Sequence, residues 1–316
     1  MINEKLLKNP IFVTLAALLC CALWGSATPM IKIGYELILP ERTVASTILF
    51  AGVRFALAGA LTVAIYSIAR RRVLLPKKEN LWRVGTVSAF QTVIQYIFFY
   101  LGLALTSGVK GTIISGSSVF FAILISTLLF RMEKLTARQM IACGVGFLGI
   151  ITVNLSGLDF SMNLGDLFVL LSAVSLAVSS VLMKRFSKFE DPVVLSGYQF
   201  ILGGVLMSLG ALCFGGRIVI GSWRAFFVLL YLAALSAVAY AVWGVLLKYN
   251  PVSSVTIFTF MTPVFGVILS MLLLTSEESL VSPINLILTL LLVSAGIFIL
   301  NYRPREKAKR DEEAAE

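Results

Sequence analysis

Histidine is absent from the 316-residue chain, and charged residues make up only 13% of it. Acids are the scarcer sign, with 16 Asp and Glu against 26 Lys and Arg. Each shortage excludes something. Soluble domains carry about 25% charged residues, and no polar block here is long enough to fold as a separate soluble unit. With no histidine and no carboxylate set deep in an apolar run, the acid–base pairs and nucleophile–base pairs of an enzyme are missing. Asp166, near the start of one run, comes nearest to such a position. The four cysteines, Cys20, Cys21, Cys143 and Cys213, lie in apolar stretches without metal-ligand spacing and read as small buried hydrophobes. No metal and no cofactor is therefore expected. The net charge of +10 does not point to nucleic acid, because the basic residues fall in short clusters between apolar runs. They form no continuous face that could follow a phosphate backbone.

What the chain has in abundance is apolar sequence, 59% by residue. A bilayer core of about 30 Å is crossed by roughly 20 helical residues. Ten runs meet that need, near 11–34, 46–68, 84–105, 109–130, 137–156, 164–186, 193–214, 225–247, 252–274 and 284–301. The first run is too long for a signal peptide and lacks a small-x-small cleavage site, so it is expected as an uncleaved span. If the N-terminus is cytoplasmic, 20 of the 26 Lys and Arg fall on the inner side, five on the outer side, and Arg54 lies within a span. That bias predicts both termini in the cytoplasm of a multi-pass protein of the cytoplasmic membrane.

The sequence also repeats. Shifted by about 145 residues, GVRFALAGAL at 52–61 meets GYQFILGGVL at 197–206. Tyr96 falls on Tyr240, Thr112 on Thr256 and Glu133 on Glu277; Gly149 and Asn154 then fall on Gly296 and Asn301. Each half holds five spans, and an odd number turns the second half upside down in the bilayer. The expected fold is all-α and integral to the membrane: ten transmembrane helices as two inverted five-helix repeats around a central cavity, with a binding site near the midplane. The first repeat covers 11–156, the second 164–301, and a charged tail follows at 302–316.

The residues ALWGSATPMIK near 22–32, Arg54-Phe55, LLFRMEKLTARQ at 128–139 and TPVFGVILSMLL at 262–273 before Glu277 occur as an ordered set. In that set the chain resembles the bacterial ten-span branch of the drug/metabolite transporter superfamily, built from two EamA domains. Val119 departs from the pattern, since the first repeat often carries proline there, as the second does at Pro263; Ser279 departs where a hydrophobic residue is usual. The resemblance implies an alternating-access carrier that exports or imports amino acids, related metabolites or drugs, and export is the direction expected here. Carriage of drugs, nucleosides or polyamines is the alternative, and a channel or membrane scaffold a more distant one. The partners implied are a small-molecule substrate and the lipid bilayer. The oligomeric state is not legible, and a monomer is compatible with the pattern.

Several side chains are candidates for the site. Arg54 lies eight residues past Ser46, about 12 Å deep by helical rise. A mid-span arginine costs about 2.5–3.5 kcal/mol on insertion scales. Two readings are open for it: a guanidinium facing the cavity to meet a substrate carboxylate, or a structural group that snorkels or caps carbonyls of a neighbouring helix. Gln199 holds the matching place in the second repeat. Gln91 and Gln95, four apart, share a helix face, either toward the cavity or across a helix interface. Tyr96 with Phe99, Tyr240 with Trp243, and Trp24 are candidate aromatic walls, or packing residues. Thr112, Ser115 and Ser118 form one hydroxyl stripe, and Thr256, Thr259 and Thr262 form its counterpart. Gly116 and Pro263 loosen those two helices and are candidate hinges. Glu133 and Glu277 sit at span ends, as interfacial or gate contacts.

Overall fold

The computed structural model describes residues 4–155, 161–273 and 282–301. Glu277, Ser279 and the tail at 302–316 lie outside the described residues. Among those described, every regular element is helical. A short turn, Glu4–Leu7, leads into α1 (Pro10–Ile38), α2 (Val44–Ala69), α3 (Lys78–Leu105), α4 (Gly108–Leu129) and α5 (Ala137–Val153). The second half holds α6 (Leu164–Phe186), α7 (Pro192–Cys213), α8 (Trp223–Tyr249), α9 (Val252–Leu273) and α10 (Pro283–Asn301). Nine of these are long and apolar enough to cross a membrane; α5, at 17 residues, is the short one.

Local chemistry sets the boundaries. Asn9 accepts from the Ile11 and Phe12 N–H groups ahead of α1, where Pro10 fills the first position without needing a donor. Thr43, Ser107 and Ser222 cap α2, α4 and α8 in the same way. Thr136 with Gln139 and Asn163 with Asp166 close reciprocal capping boxes at α5 and α6. Asp191 precedes Pro192 at α7. The α9 helix is different. Pro251 occupies its cap position and offers no side-chain bond; its free N–H groups find an acceptor from the other half of the chain.

The halves meet through equivalent helices running antiparallel. Gly52 lies against Ser208, Gly59 against Ile201 and Gly197 against Val63. A Cβ on Gly59 would sit 2.6 Å from the Ile201 nitrogen, and one on Gly204 would sit 2.6 Å from the Gly52 carbonyl oxygen. The aligned segments 52–61 and 197–206 are thus the two sides of one close α2–α7 crossing, which only glycine permits. The α5–α10 pair crosses likewise, Gly149 against Val293 and Gly296 against Ala142 and Gly146. The remaining contacts obey the same exchange: α1 packs on α8 and α9, while α6 packs on α3 and α4. This is the inverted repeat expressed as packing.

The outer faces carry exposed Leu15, Leu19, Ile65, Leu206, Leu288 and Leu291, an apolar surface suited to lipid. One end of the bundle, here the basic end, gathers the α2–α3, α4–α5, α6–α7 and α8–α9 connections with Arg70–Arg72, Lys77, Arg131, Lys184 and Lys248.

Candidate functional site

Three helices around the centre are irregular. In α3, Ala89–Ile94 forms a wide π-helical stretch, and the Ser175 hydroxyl of α6 donates to the Phe90 carbonyl within it at 2.6 Å. In α4 the regular helix is interrupted at Ser117. In α9, Ile257–Phe260 tightens into a 3-10 turn just ahead of Pro263, whose ring displaces the preceding turn. Although Val119 stands where α9 has Pro263, α4 still breaks, one residue past the place that matches the α9 3-10 turn. The α8 helix, the counterpart of α3, runs unbroken through Trp223–Tyr249.

These distortions surround a cavity of about 560 Å³. Its walls come from both halves: α1–α4 and Ile150 of α5 on one side, α6, α8 and α9 on the other. Lining residues at the basic end, Trp243, Thr256 and Phe260, are buried, whereas Lys32, Thr28 and Gly108 at the opposite end are exposed. The cavity therefore opens away from the basic end.

Arg54 lies on this wall and is only 3% exposed. Its guanidinium carbon sits 4.4 Å from the Phe55 ring centroid. Among the described residues it meets no carboxylate and no carbonyl, and its Nε has no hydrogen-bond partner. Gln91 and Gln95 also line the cavity, each with a buried Oε1 that lacks a donor, and the Nε1 of Trp24, another lining residue, lacks an acceptor. With the Thr262 Oγ1, five polar side chains thus bring unpartnered atoms to one space. Burial without a partner costs about 1–3 kcal/mol per group, so the arrangement favours a polar guest.

Aromatic rings pack around the same space. The Trp24 ring stands edge-on to Tyr240 at 5.1 Å and to Trp243 at 4.9 Å. Phe55 leans on Tyr96 at 4.4 Å, and the Tyr96 and Tyr240 hydroxyls lie 2.9 Å apart. Ser115, Ser118, Thr259 and Thr262 line the cavity with Gly116 and Pro263. Thr112 and Thr256 do too, and they make the same bond: Thr112 donates to the Gly108 carbonyl at 2.8 Å and Thr256 to the Val252 carbonyl at 2.9 Å.

Gln199 needs correction as a cavity candidate. It is wholly buried between α7 and α3, where Thr92 donates to its Oε1 at 2.6 Å. The α2–α7 crossing turns it toward α3, while Arg54 turns into the cavity. Asp166 is also accounted for: its Oδ2 lies 2.8 Å from Lys110 Nζ, and Thr106 donates to its other oxygen. Sequence reasoning passed over α6. Ser172 and Ser180 of that helix line the cavity, and the serine spacing in LLSAVSLAVSSVL carries the same signal as the stripes in α4 and α9. Tyr35, near the open end, was passed over as well.

The closed end is held by polar contacts, most of them between the halves. Glu133, in the α4–α5 connection, accepts from the Val252 N–H and from the Ser253 hydroxyl and N–H, supplying the missing cap of α9. Gln139 donates to Ser253 at 3.2 Å. Lys184 donates to the Leu247 carbonyl at 3.1 Å and to that of Asn250, whose own amide donates to the Leu7 carbonyl at 3.0 Å. All converge on the α8–α9 turn.

Comparison with known proteins agrees with this architecture. The EamA-like transporter family matches residues 11–155 and again 163–302. A chloroplastic WAT1-related protein of Arabidopsis thaliana is 25% identical over 88% of this chain and 67% of its own length. Uncharacterized transporters of Archaeoglobus fulgidus and Synechocystis sp. are 24% and 26% identical, over 81% and 90% of this chain and 88% of each relative. A crystal structure at 18% identity superposes with a TM-score of 0.74, covering 95% of this chain and 98% of the other, a likeness of fold. With the family matched over both halves, and with two inverted repeats enclosing one cavity, the chain belongs to the EamA-like transporter family.

Proposed function

We propose that this transporter is an alternating-access carrier for a small organic anion or zwitterion with an apolar or aromatic body, an amino acid or a related metabolite. Arg54 carries the reading. It is a buried cation without a carboxylate, in a cavity where Lys32 is also basic and no lining residue is acidic. A bidentate carboxylate would offset its desolvation, while Gln91 and Gln95 would hold a second polar group. Trp24, Tyr96, Tyr240 and Trp243 would cover the apolar part. A polyamine fits poorly, since it would place its charges beside two cations. The aromatic wall favours one second reading, a neutral flat molecule such as a nucleoside or drug.

The basic end is assigned to the cytoplasm of a cytoplasmic-membrane protein by its excess of Lys and Arg, with both termini on that side. The structure then corresponds to a state open outward and latched inward. Export is the direction proposed, one of the two that the family resemblance allows. Counterflow in proteoliposomes with a mixture of labelled amino acids, nucleosides and polyamines tests the substrate class. Exchange of amino acids or other carboxylates supports it; exchange confined to polyamines overturns it.

A further inference from the structure

A second, smaller cavity lies at the basic end, outside the transport path. It measures about 370 Å³ and lies where the end of α2 and the α2–α3 loop meet the start of α7. Tyr66, Arg70, Arg72, Lys77, Glu190 and Asp191 line it, with Val73 and Leu75 beside them. Arg71 turns the chain sharply, at φ 52°, between the two lining arginines. The loop is then tied down: Ser67 accepts from the Leu74 N–H at 3.1 Å, and Tyr198 donates to the Leu74 carbonyl at 3.0 Å.

Both acids are already engaged by neutral donors. Glu190 Oε2 accepts from Asn80 Nδ2 and the Lys77 N–H, both at 2.9 Å, and Oε1 accepts from the Asp191 N–H at 3.1 Å. Burial acts to raise the Glu190 carboxyl, but those hydrogen bonds, with a smaller pull from the Lys77 charge, outweigh it and hold the group below the ordinary glutamate range. Asp191 caps Val193 with one oxygen and accepts from Tyr66 with the other, both at 2.8 Å. Arg70 donates to the Tyr66 hydroxyl at 2.8 Å. None of Arg70, Arg72 and Lys77 forms an ion pair among the described residues. Beside this cationic rim, Val73 and Leu75 are 77% and 68% exposed, in the manner of side chains set among acyl chains.

We infer that this cavity is a binding site for the phosphate headgroup of an anionic phospholipid in the leaflet at the basic end. The three cations meet the phosphate, and Val73 and Leu75 lie along its chains. Basic pockets flanked by apolar surface at that level of a bilayer suit such headgroups. Because α2 and α7 belong to opposite halves, a lipid held here touches both sides of their crossing.

Native mass spectrometry of the detergent-solubilised full chain, titrated with phosphatidylglycerol or phosphatidylcholine, tests the site. Phosphatidylglycerol is expected to be retained in preference to phosphatidylcholine. The variant R70Q/R72Q is expected to lower its occupancy about tenfold, whereas R71Q/K78Q, with the same charge change outside the cavity, lowers it much less. Soluble glycerol phosphate should compete only weakly. Equal retention of both lipids, equal loss in the two variants, or glycerol phosphate binding as tightly as the lipid would each overturn the assignment. An unchanged melting temperature in R70Q/R72Q shows that its readout is binding and not folding.

Discussion

The hydroxyls of Tyr96 and Tyr240 meet at 2.9 Å, and the two tyrosines hold the same place in the two halves of the chain. One comes from α3, with its π-helical stretch, the other from the unbroken α8. The bond therefore ties symmetry mates across the wall of the cavity. Removing either hydroxyl should weaken transport, and removing both should cost little more than one. A double-mutant cycle of Y96F and Y240F, read as kcat/KM in proteoliposomes, should give a coupling of about 1 kcal/mol. Additive effects would show that the pair does not act as a unit.

Arg54 should matter for binding more than for folding. The substitution Arg54→Gln removes a charge that no described protein group balances. Yield and melting temperature should hold, and affinity for a carboxylate substrate should fall about 10- to 100-fold, in line with a lost hydrogen bond to a charged group. Loss of folded protein would mean the guanidinium has a structural role.

The α2–α7 crossing should be intolerant of side chains. Gly204→Val forces a branched side chain against the Gly52 and Ala56 backbone, and overpacking costs about 1–3 kcal/mol. Gly210→Ala, in the same helix with nothing within 4 Å of its new Cβ, should be neutral or stabilising by about 0.5–1 kcal/mol. Melting temperatures in detergent check both.

The ten-helix plan was legible because apolar length and capping chemistry are local properties. The predicted 46–68 became Val44–Ala69, and 225–247 became Trp223–Tyr249, each extended to its capping Thr43 or Ser222. The repeat was legible because glycines at 52, 59, 197 and 204 serve one crossing. Gln199 misled for the same reason. Alignment equates it with Arg54, yet the asymmetry between α3 and α8 gives it Thr92 as a partner and leaves Arg54 facing the cavity. The wide turn in α3 depends on Ser175, far along the chain, so no local pattern marks it.

Glu133 should govern the closed end. It is the acceptor for α9, which lacks a side-chain cap of its own. Glu133→Ala removes charge-assisted bonds to the Val252 and Ser253 groups and should shift the balance about tenfold or more toward opening at the basic end. Glu133→Gln, which keeps an acceptor, should do less. Reactivity of a cysteine placed at Ser180 toward an impermeant thiol reagent on that side measures the shift.

Glu190 gives a sign for acid stability. Its carboxyl titrates below the ordinary range when folded, so its contribution is present above about pH 4.5 and is lost as pH falls through the lower folded value. Between pH 6 and 8 the group should add no pH dependence. Melting temperatures of the wild type and Glu190→Gln should converge in acid and differ near neutrality.

Alternating exposure of one site is the central claim, and Thr112 and Thr256 test it directly. They are repeat mates with matching backbone bonds, one toward the open end and one buried toward the latched end. Single cysteines at the two positions, labelled by an impermeant reagent from each side of the membrane, should react from opposite sides, and conditions that raise one rate should lower the other. Simultaneous labelling of both from the same side would describe a continuous pore and contradict the carrier account.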